Sequence, residues 1–462
     1  MNQKYELTSG GILSKLLLVA LPIMGSQLVQ MAYNLTDMFW LGRIDSASVA
    51  ASGTAGLFMW LSMGLLLIGR MGAEIGVSQN LGKGSRDAAR VFSQNAVMTG
   101  AALGVAFAAV LAVFRHSLVG FFNIQDLAVE AATEKYLLIV SFGLPFAYVN
   151  SAIVGSFNAS GNSRTPFLAN IIGLAINMIL DPLMIFAMDM GVAGAATATL
   201  AAQAISCGVG MLAIKCDKNR PFAHYRFMSK PNIKTLRQIF LWSAPIAAES
   251  AFFTLMAMIT SRFEASFGTN AMAAGRIGSQ VESLTWLVGG GFGSALIAFT
   301  GQNFGAGKWT RIRRCFKLSV FIMTLYGIGV TALMFFGGEF AFNLFLPDPG
   351  VVRIGIGYMR IFAMCQVFFC LEGVAGSAFK GVGRTFPPSI VSIIANIIRV
   401  FLALALSRSE LGLYGVWLGI SLSAVLRGTA ALIWYLIEAR GQPLADEETT
   451  SESDQLGNAA VL

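Results

Sequence analysis

What most limits how this chain can fold is its string of apolar runs, each long enough to cross a lipid bilayer. A hydrocarbon core about 30 Å thick needs roughly 20 apolar residues of helix. Runs of that kind fall at about 14–42, 47–78, 92–114, 133–157, 165–188, 191–214, 236–266, 271–302, 315–337, 352–379, 386–408 and 412–438. In lipid, a spanning segment must satisfy its own backbone N–H and C=O groups, so each run is predicted to be a helix. The expectation is an all-α polytopic membrane protein with twelve transmembrane helices. The first run is too long for a cleavable signal and lacks a small-residue cleavage site, so it is expected to remain as span 1.

Charge fixes the orientation. Only 12% of the 462 residues are charged, against about 25% in an average soluble chain. The net charge of +8 is not a nucleic-acid footprint, because 21 of the 32 Lys and Arg fall on one side of the predicted membrane. That asymmetry is the positive-inside pattern. It places Lys83–Arg86, Lys215–Arg237, Lys308–Lys317 and both termini on the cytoplasmic side of the cell inner membrane. Asp126, Glu130, Glu339 and Asp348 fall in the opposite loops. The five cysteines show no metal-ligand spacing and read as small buried hydrophobes.

A repeat divides the chain. Shifting by 223 residues lays Pro22-Ile23 on Pro245-Ile246, and Gln79-Asn80-Leu81-Gly82-Lys83-Gly84 on Gln302-Asn303-Phe304-Gly305-Ala306-Gly307. Six spans separate the copies, an even number, so the repeats are parallel, with a pseudo-twofold axis along the membrane normal. The predicted organisation is an N-terminal six-helix bundle (1–214), a polar cytoplasmic linker (215–234) that acts as a joint, a C-terminal six-helix bundle (235–440) and an acidic disordered tail (441–462).

Ionisable residues inside spans raise functional hypotheses by default. Asn177 and Asp181 are four residues apart, so they share a helix face in span 5, and Pro182 removes the hydrogen bond that the Met178 carbonyl would receive. At 1.5 Å of rise per residue, Asp181 lies roughly 12 Å from the outer end of its helix, Asp37 of span 1 roughly 9 Å and Thr199 of span 6 roughly 12 Å. The three fall in one layer of the first bundle, with Tyr33, Asn34 and Thr36 on the same stretch of span 1. Two carboxylates in an apolar layer repel unless a cation or proton sits between them. The layer can therefore bind Na⁺ or H⁺, with Na⁺ favoured because Asn177 and Thr199 add oxygen ligands a proton does not need. Pro22 frees the Leu18 carbonyl and marks a hinge in span 1; Pro145, Pro182 and Pro245 do likewise in spans 4, 5 and 7.

The second half does not repeat this chemistry. Asp37 aligns with Thr260, and Asp181 falls near Val400 beside Arg399. Glu249, Glu264, Glu282 and Glu372, with Arg262, Arg276, Arg360 and Arg399, form either ion pairs that fix helix packing or a second polar site at Glu249, Glu282 and Glu372. Arg70 and Glu74, spaced i to i+4, read as a structural pair. Met31, Met38 and Met256, together with Trp60 and Trp286, are candidates for a promiscuous cargo cleft as well as for ordinary packing. Gly305-Ala306-Gly307-Lys308 lacks the first glycine and the Ser/Thr of a phosphate loop, so ATP-driven pumping is not expected. No hydrolase or metalloprotease motif is present, and no enzyme activity is expected.

These residues resemble the multidrug and toxic-compound extrusion (MATE) transporters. The marks are Pro22–Gly42 with Asn34-Leu35-Thr36-Asp37, Gln79–Gly82, Asn177-x-x-x-Asp181-Pro182, Gly191–Ala196 and Gly301–Gly305. The resemblance implies a V-shaped pair of bundles exporting amphipathic or cationic small molecules against Na⁺ or H⁺. Beyond that coupling ion it implies no cofactor, and the protein is expected to be a monomer among membrane lipids. In the DinF-like branch, which the chain resembles most, the pattern of the first-bundle cation site falls on Asp37, Asn177, Asp181 and Thr199, and the bending proline of helix 1 on Pro22. Another bacterial branch carries acids on helices 7 and 10; Glu249 sits one turn before that helix-7 position, which Phe253 occupies, and Glu372 matches loosely. A lipid-linked oligosaccharide flippase of the same superfamily is the nearest alternative, and an ion channel or sensor without a transported solute is the alternative of another class.

Overall fold

The computed structural model describes residues 6–44, 46–122, 126–217, 222–227, 229–345 and 348–442, all but ten side chains within them included. Met38 is one of those ten, so the proposal that it lines a cleft lies outside the described residues; so do most of the connector's first turn (218–221) and the tail from 443 on. Among the described residues, ten helices are long and apolar enough to cross a membrane, and two bent helix pairs each pass the same test together, giving twelve spans when each bent pair counts as one. No strand occurs among the described residues.

Helices α1 (Ile12–Gly42), α2 (Ser46–Gly82), α3 (Arg86–Gly120), α4 (Leu127–Ser141), α5 (Leu144–Ala159), α6 (Arg164–Pro182) and α7 (Gly191–Cys216) come first; α8 (Ile233–Ala265), α9 (Thr269–Gly305), α10 (Trp309–Phe345), α11 (Pro349–Ala363), α12 (Gln366–Gly381), α13 (Phe386–Ser407) and α14 (Gly412–Arg440) follow. The two series mirror one another in length. Both α2 and α9 have 37 residues, α4 and α11 have 15, and α5 and α12 have 16.

The repeat reaches the backbone. Gly84 and Gly307, 223 positions apart, adopt left-handed φ values of 74° and 70°. Each ends its helix with the same 6→1 bond, Ser85 N–H to Asn80 O and Lys308 N–H to Asn303 O, both 2.9 Å. Only glycine enters that region without a steric cost, which is why both copies keep it. The turn around Gly305-Ala306-Gly307-Lys308 is thus a helix cap.

The chain clusters into two compact units, Met1–Ser9 with Leu17–Ala247, and Gly10–Leu16 with Ala248–Leu462. Two of the three boundaries fall inside helices, in α1 shortly before Pro22 and in α8 just after Pro245. Neither proline interrupts its helix. The first half of α8 packs within the first unit: Ile239 is fully buried against Gly72, and Trp242 stacks on Phe92. The described part of the connector is held there too. Phe222 is fully buried, edge-on to Phe157; Arg90 Nη1 donates to Ala223 O (2.8 Å), and Asn232 N–H donates to Asn95 Oδ1 (2.9 Å).

Within each unit, small residues let helices meet at backbone distance. Gly100 and Gly104 on α3 face the Tyr148 carbonyl and Pro145, and Gly415 and Gly419 on α14 face Leu406 and Ala403. A methyl group at Gly419 would lie 2.5 Å from Ala403 N, so the site admits no side chain. Both pairs have the small-xxx-small spacing of membrane helix interfaces.

Candidate functional site

In the first unit, polar side chains of four helices converge. Asn177 and Asp181 on α6 are fully buried, with Asn177 Nδ2 donating to Asp181 Oδ1 at 3.2 Å. Thr199 on α7 is buried and its Oγ1 lies 2.9 Å from the Tyr33 hydroxyl of α1. Asp37, one turn further along α1, is close enough to Asp181 for the two carboxylates to act on one another, and Tyr33 and Tyr136 feel both. The depth count puts Asp37, Asp181 and Thr199 in one layer, with Asn177 one turn away on the face of Asp181, and the structure brings the four together with Tyr33 and with Tyr136 of α4. Tyr136 carried no signal in the sequence, since tyrosines of membrane helices are common at lipid–water interfaces.

Local sequence explains how α6 presents this pair. Pro166, Ala169, Gly173, Asn177 and Asp181 recur at three or four residues and are buried, so the stripe that packs into the bundle ends on the amide and the carboxylate. The chain continues past Pro182 as a short π-helical turn, Leu183–Ala187, in which Met188 N–H reaches back to Leu183 O (2.9 Å). π-turns of this kind are frequent at functional positions in helices.

Among the described residues, three oxygens of the cluster have no hydrogen-bond partner: Asp37 Oδ1, Asn177 Oδ1 and Asp181 Oδ2, all buried. Buried polar atoms are nearly always paired, and each exception calls for a cause. Oxygen ligands alone suit a hard cation or a shared proton. No group of three His, Cys, Asp or Glu arranged for a metal occurs among the described residues, so a cation here draws on amide and hydroxyl oxygens too.

The second unit is organised differently. Glu249 on α8 accepts from Ser389 Oγ (2.9 Å), with Lys380 Nζ 3.9 Å away. Glu372 on α12 pairs with Arg427 of α14 at 2.7 Å. Glu282 on α9, also buried, accepts from the Tyr358 hydroxyl (3.2 Å) and the Trp286 indole N–H (3.4 Å). Glu264 accepts from Trp417 Nε1 (3.2 Å). Arg399 on α13 donates to Thr260 Oγ1 (3.0 Å), stacks over Phe253 and acts electrostatically on Glu264 and Glu282. Glu249, Glu282 and Glu372 thus sit among cations and hydrogen-bond donors. Arg427, unmarked in the sequence, is the buried cation that ties Glu372 to α14 and acts electrostatically on Glu282. Arg70 and Glu74 of the first unit lie 3.8 Å apart as the i,i+4 spacing implied. Met31 and Met256 are half-buried, and Trp60 is largely exposed.

The fold is that of a polytopic membrane protein, and comparison with known proteins gives the family. The chain belongs to the MatE family, whose profile matches residues 22–183 and again 245–405, two segments starting 223 residues apart. It is similar to the "Probable multidrug resistance protein NorM" of Thermotoga maritima, 26% identical over 431 residues and covering 92% of each chain. It is also similar to the "FAD transporter" of Shewanella oneidensis, 25% identical over 478 residues, covering 98% of this chain and 100% of that one. Among solved structures, one of MATE in the bent conformation superposes with a TM-score of 0.89 at 20% identity, covering 95% of this chain and 98% of that chain. The protein is a membrane transporter and not an enzyme.

Proposed function

We propose that this transporter is a secondary active exporter that couples outward movement of amphipathic or cationic small molecules to entry of Na⁺ or H⁺. The observation that carries the reading is the trio of unpartnered buried oxygens on Asp37, Asn177 and Asp181. At an effective dielectric near 20, two like unit charges ~6 Å apart repel by about 3 kcal/mol. A buried carboxylate pair therefore takes up a proton or a cation rather than stand doubly charged. Na⁺ is favoured over H⁺, because Asn177 Oδ1 and Thr199 Oγ1 complete an oxygen shell that a proton does not require.

Occupancy from outside neutralises the pair, draws α1 toward α6 and α7, bends α1 at Pro22 and disfavours cargo binding. Cargo then leaves outward while the ion is released inward. The N-terminal bundle (1–214) and the C-terminal bundle (235–440) alternate access about the 215–234 connection, with both termini cytoplasmic and the protein acting as a monomer. The similarity to the Thermotoga protein favours drugs and toxic compounds as cargo, and the half-buried Met31 and Met256 provide adaptable apolar surface.

Everted membrane vesicles test this directly. Uptake of a fluorescent cationic dye is expected to follow an imposed Na⁺ gradient, or failing that a proton gradient, and to lose that dependence in Asp37→Asn and Asp181→Asn. Dye movement that stays ion-coupled in both variants rejects the assignment, and dye movement that responds to neither gradient rejects coupling to Na⁺ or H⁺.

A further inference from the structure

The second bundle contains a counterpart of the first-bundle site, and its charge is inverted. Thr260 stands 223 residues after Asp37 in the gapless repeat. On α13, Pro388, Ser392 and Asn396 are buried at the same four-residue spacing as Ala169, Gly173 and Asn177 on α6. Asp181 follows Asn177 by four residues and Arg399 follows Asn396 by three, one position before the Val400 that the register sets opposite Asp181. Where the first bundle sets carboxylates on both helices, the second sets a hydroxyl and a guanidinium, hydrogen-bonded to each other at 3.0 Å. Glu264 on α8 and Glu282 on α9 supply the negative charge around that guanidinium, with Arg427 the other cation acting on Arg399 and Tyr358 a further neighbour.

We infer that Arg399 is a tethered cation that permanently fills the second bundle's counterpart of the coupling site. A guanidinium is always charged and donates in several directions, so it serves the role of a bound cation without ever leaving. Its Nη2 takes the Thr260 hydroxyl as ligand, Phe253 covers its face, and Glu264 and Glu282 are its counter-charges. The consequence is functional. Only the first bundle exchanges its cation, and Arg399 holds the second in the occupied state, which limits the cycle to one exchangeable site. Losing that charge leaves Glu264 and Glu282, which act on one another, short of one cation beside the Thr260 hydroxyl, with Arg427 still acting on Glu282.

This inference rests on the first-bundle reading only for the word "counterpart", and the experiment keeps the two apart. Asp37→Asn/Asp181→Asn provides a background in which the first site is neutral. Melting temperature is read in NaCl against choline chloride, and in mildly acidic against mildly alkaline buffer, for that background and after adding Arg399→Gln or Arg399→Lys. A ligand that binds only the folded state raises melting in proportion to its occupancy. Arg399→Gln is expected to melt lower in choline at alkaline pH and to recover by roughly 5 °C with Na⁺ or acid. Arg399→Lys, which keeps a cation in place, is expected to respond no more than the background. Equal responses of the Gln and Lys variants overturn the inference. Should Arg399→Gln not accumulate, the Gln variant is made together with Glu264→Gln, removing one charge of each sign. Recovery of folding supports a charge-filling role, and failure of that pair while Arg399→Lys also fails overturns it, leaving guanidinium shape as the requirement. A background that itself still responds to Na⁺ contradicts the first-bundle assignment and leaves the Gln–Lys comparison readable.

Discussion

Asp37 and Asp181 differ from Glu74, Glu249 and Glu372 in what surrounds them. Glu372 has Arg427 at 2.7 Å, Glu74 has Arg70 at 3.8 Å and Glu249 has Lys380 at 3.9 Å, whereas no Lys or Arg pairs with either aspartate among the described residues. An acid that has its cation is a packing device; a pair that lacks one needs a cation from outside the protein. Removing Asn177 Oδ1 by Asn177→Ala is expected to weaken Na⁺ binding about tenfold, the size of effect typical for orienting groups at a cation site, as read by isotope binding to purified protein. Tyr33→Phe deletes the hydrogen bond to Thr199 and is expected to cost about 1 kcal/mol, a roughly fivefold loss of cation affinity. Spacing made Asp37, Asn177, Asp181 and Thr199 legible, because a four-residue interval fixes a helix face and a residue count fixes a depth. Tyr136 was not legible. Its part in the cluster depends on how α4 tilts against α1 and α6, and no local pattern in Leu127–Ser141 reports a tilt.

At the scale of elements, apolar length gave the helices and missed their breaks. The bend of 43° between α4 and α5 has a visible cause, since Pro145 is the second residue of α5. The matching 44° bend between α11 and α12 has no proline. Side chains from elsewhere hold it: Gln366 Nε2 donates to Phe362 O (3.0 Å), Thr331 Oγ1 to Ala363 O (2.9 Å), and Thr285 Oγ1 to Gln366 Oε1 (2.9 Å). Such tertiary partners are invisible to a window sliding along one helix. Gln366→Leu leaves a fully buried carbonyl and the Thr285 hydroxyl without this partner, and is expected to destabilise the second bundle by about 1–3 kcal/mol in thermal melting. Gly419→Val forces atoms into the Ala403 backbone and is expected to cost a similar amount, about 1–3 kcal/mol or more. Predicted span ends also fell short, as α3 extends over Arg86–Gly120 rather than 92–114. Helices continue into water where caps allow, and the hydropathy pattern stops at the lipid.

For the whole molecule, the repeat anticipated the doubled architecture, down to paired left-handed glycines at 84 and 307. The same alignment already showed the chemistry diverging, with Thr260 opposite Asp37 and Arg399 near the place of Asp181; what it did not report is how Arg427 and Arg399 are placed among the second bundle's acids. The polar connector predicted as a joint packs, in its described part, within the first unit through Phe222, and that unit extends through Pro245 of α8. Pro245→Ala is therefore expected to slow transport turnover without changing cation affinity, which dye-efflux rates and isotope binding measured side by side will separate.

Everything above turns on whether filling the Asp37–Asp181 site changes the hold on cargo. The measurement is the affinity of purified protein for a fluorescent cationic dye, titrated against Na⁺ and against pH, in wild type and in Asp37→Asn/Asp181→Asn. The expected result is that one of the two ions weakens dye binding in the wild type by about 5- to 150-fold, the range of ordinary coupling energies, and has no effect in the double variant. Equal weakening in both proteins would contradict the account and move the coupling site away from the first bundle.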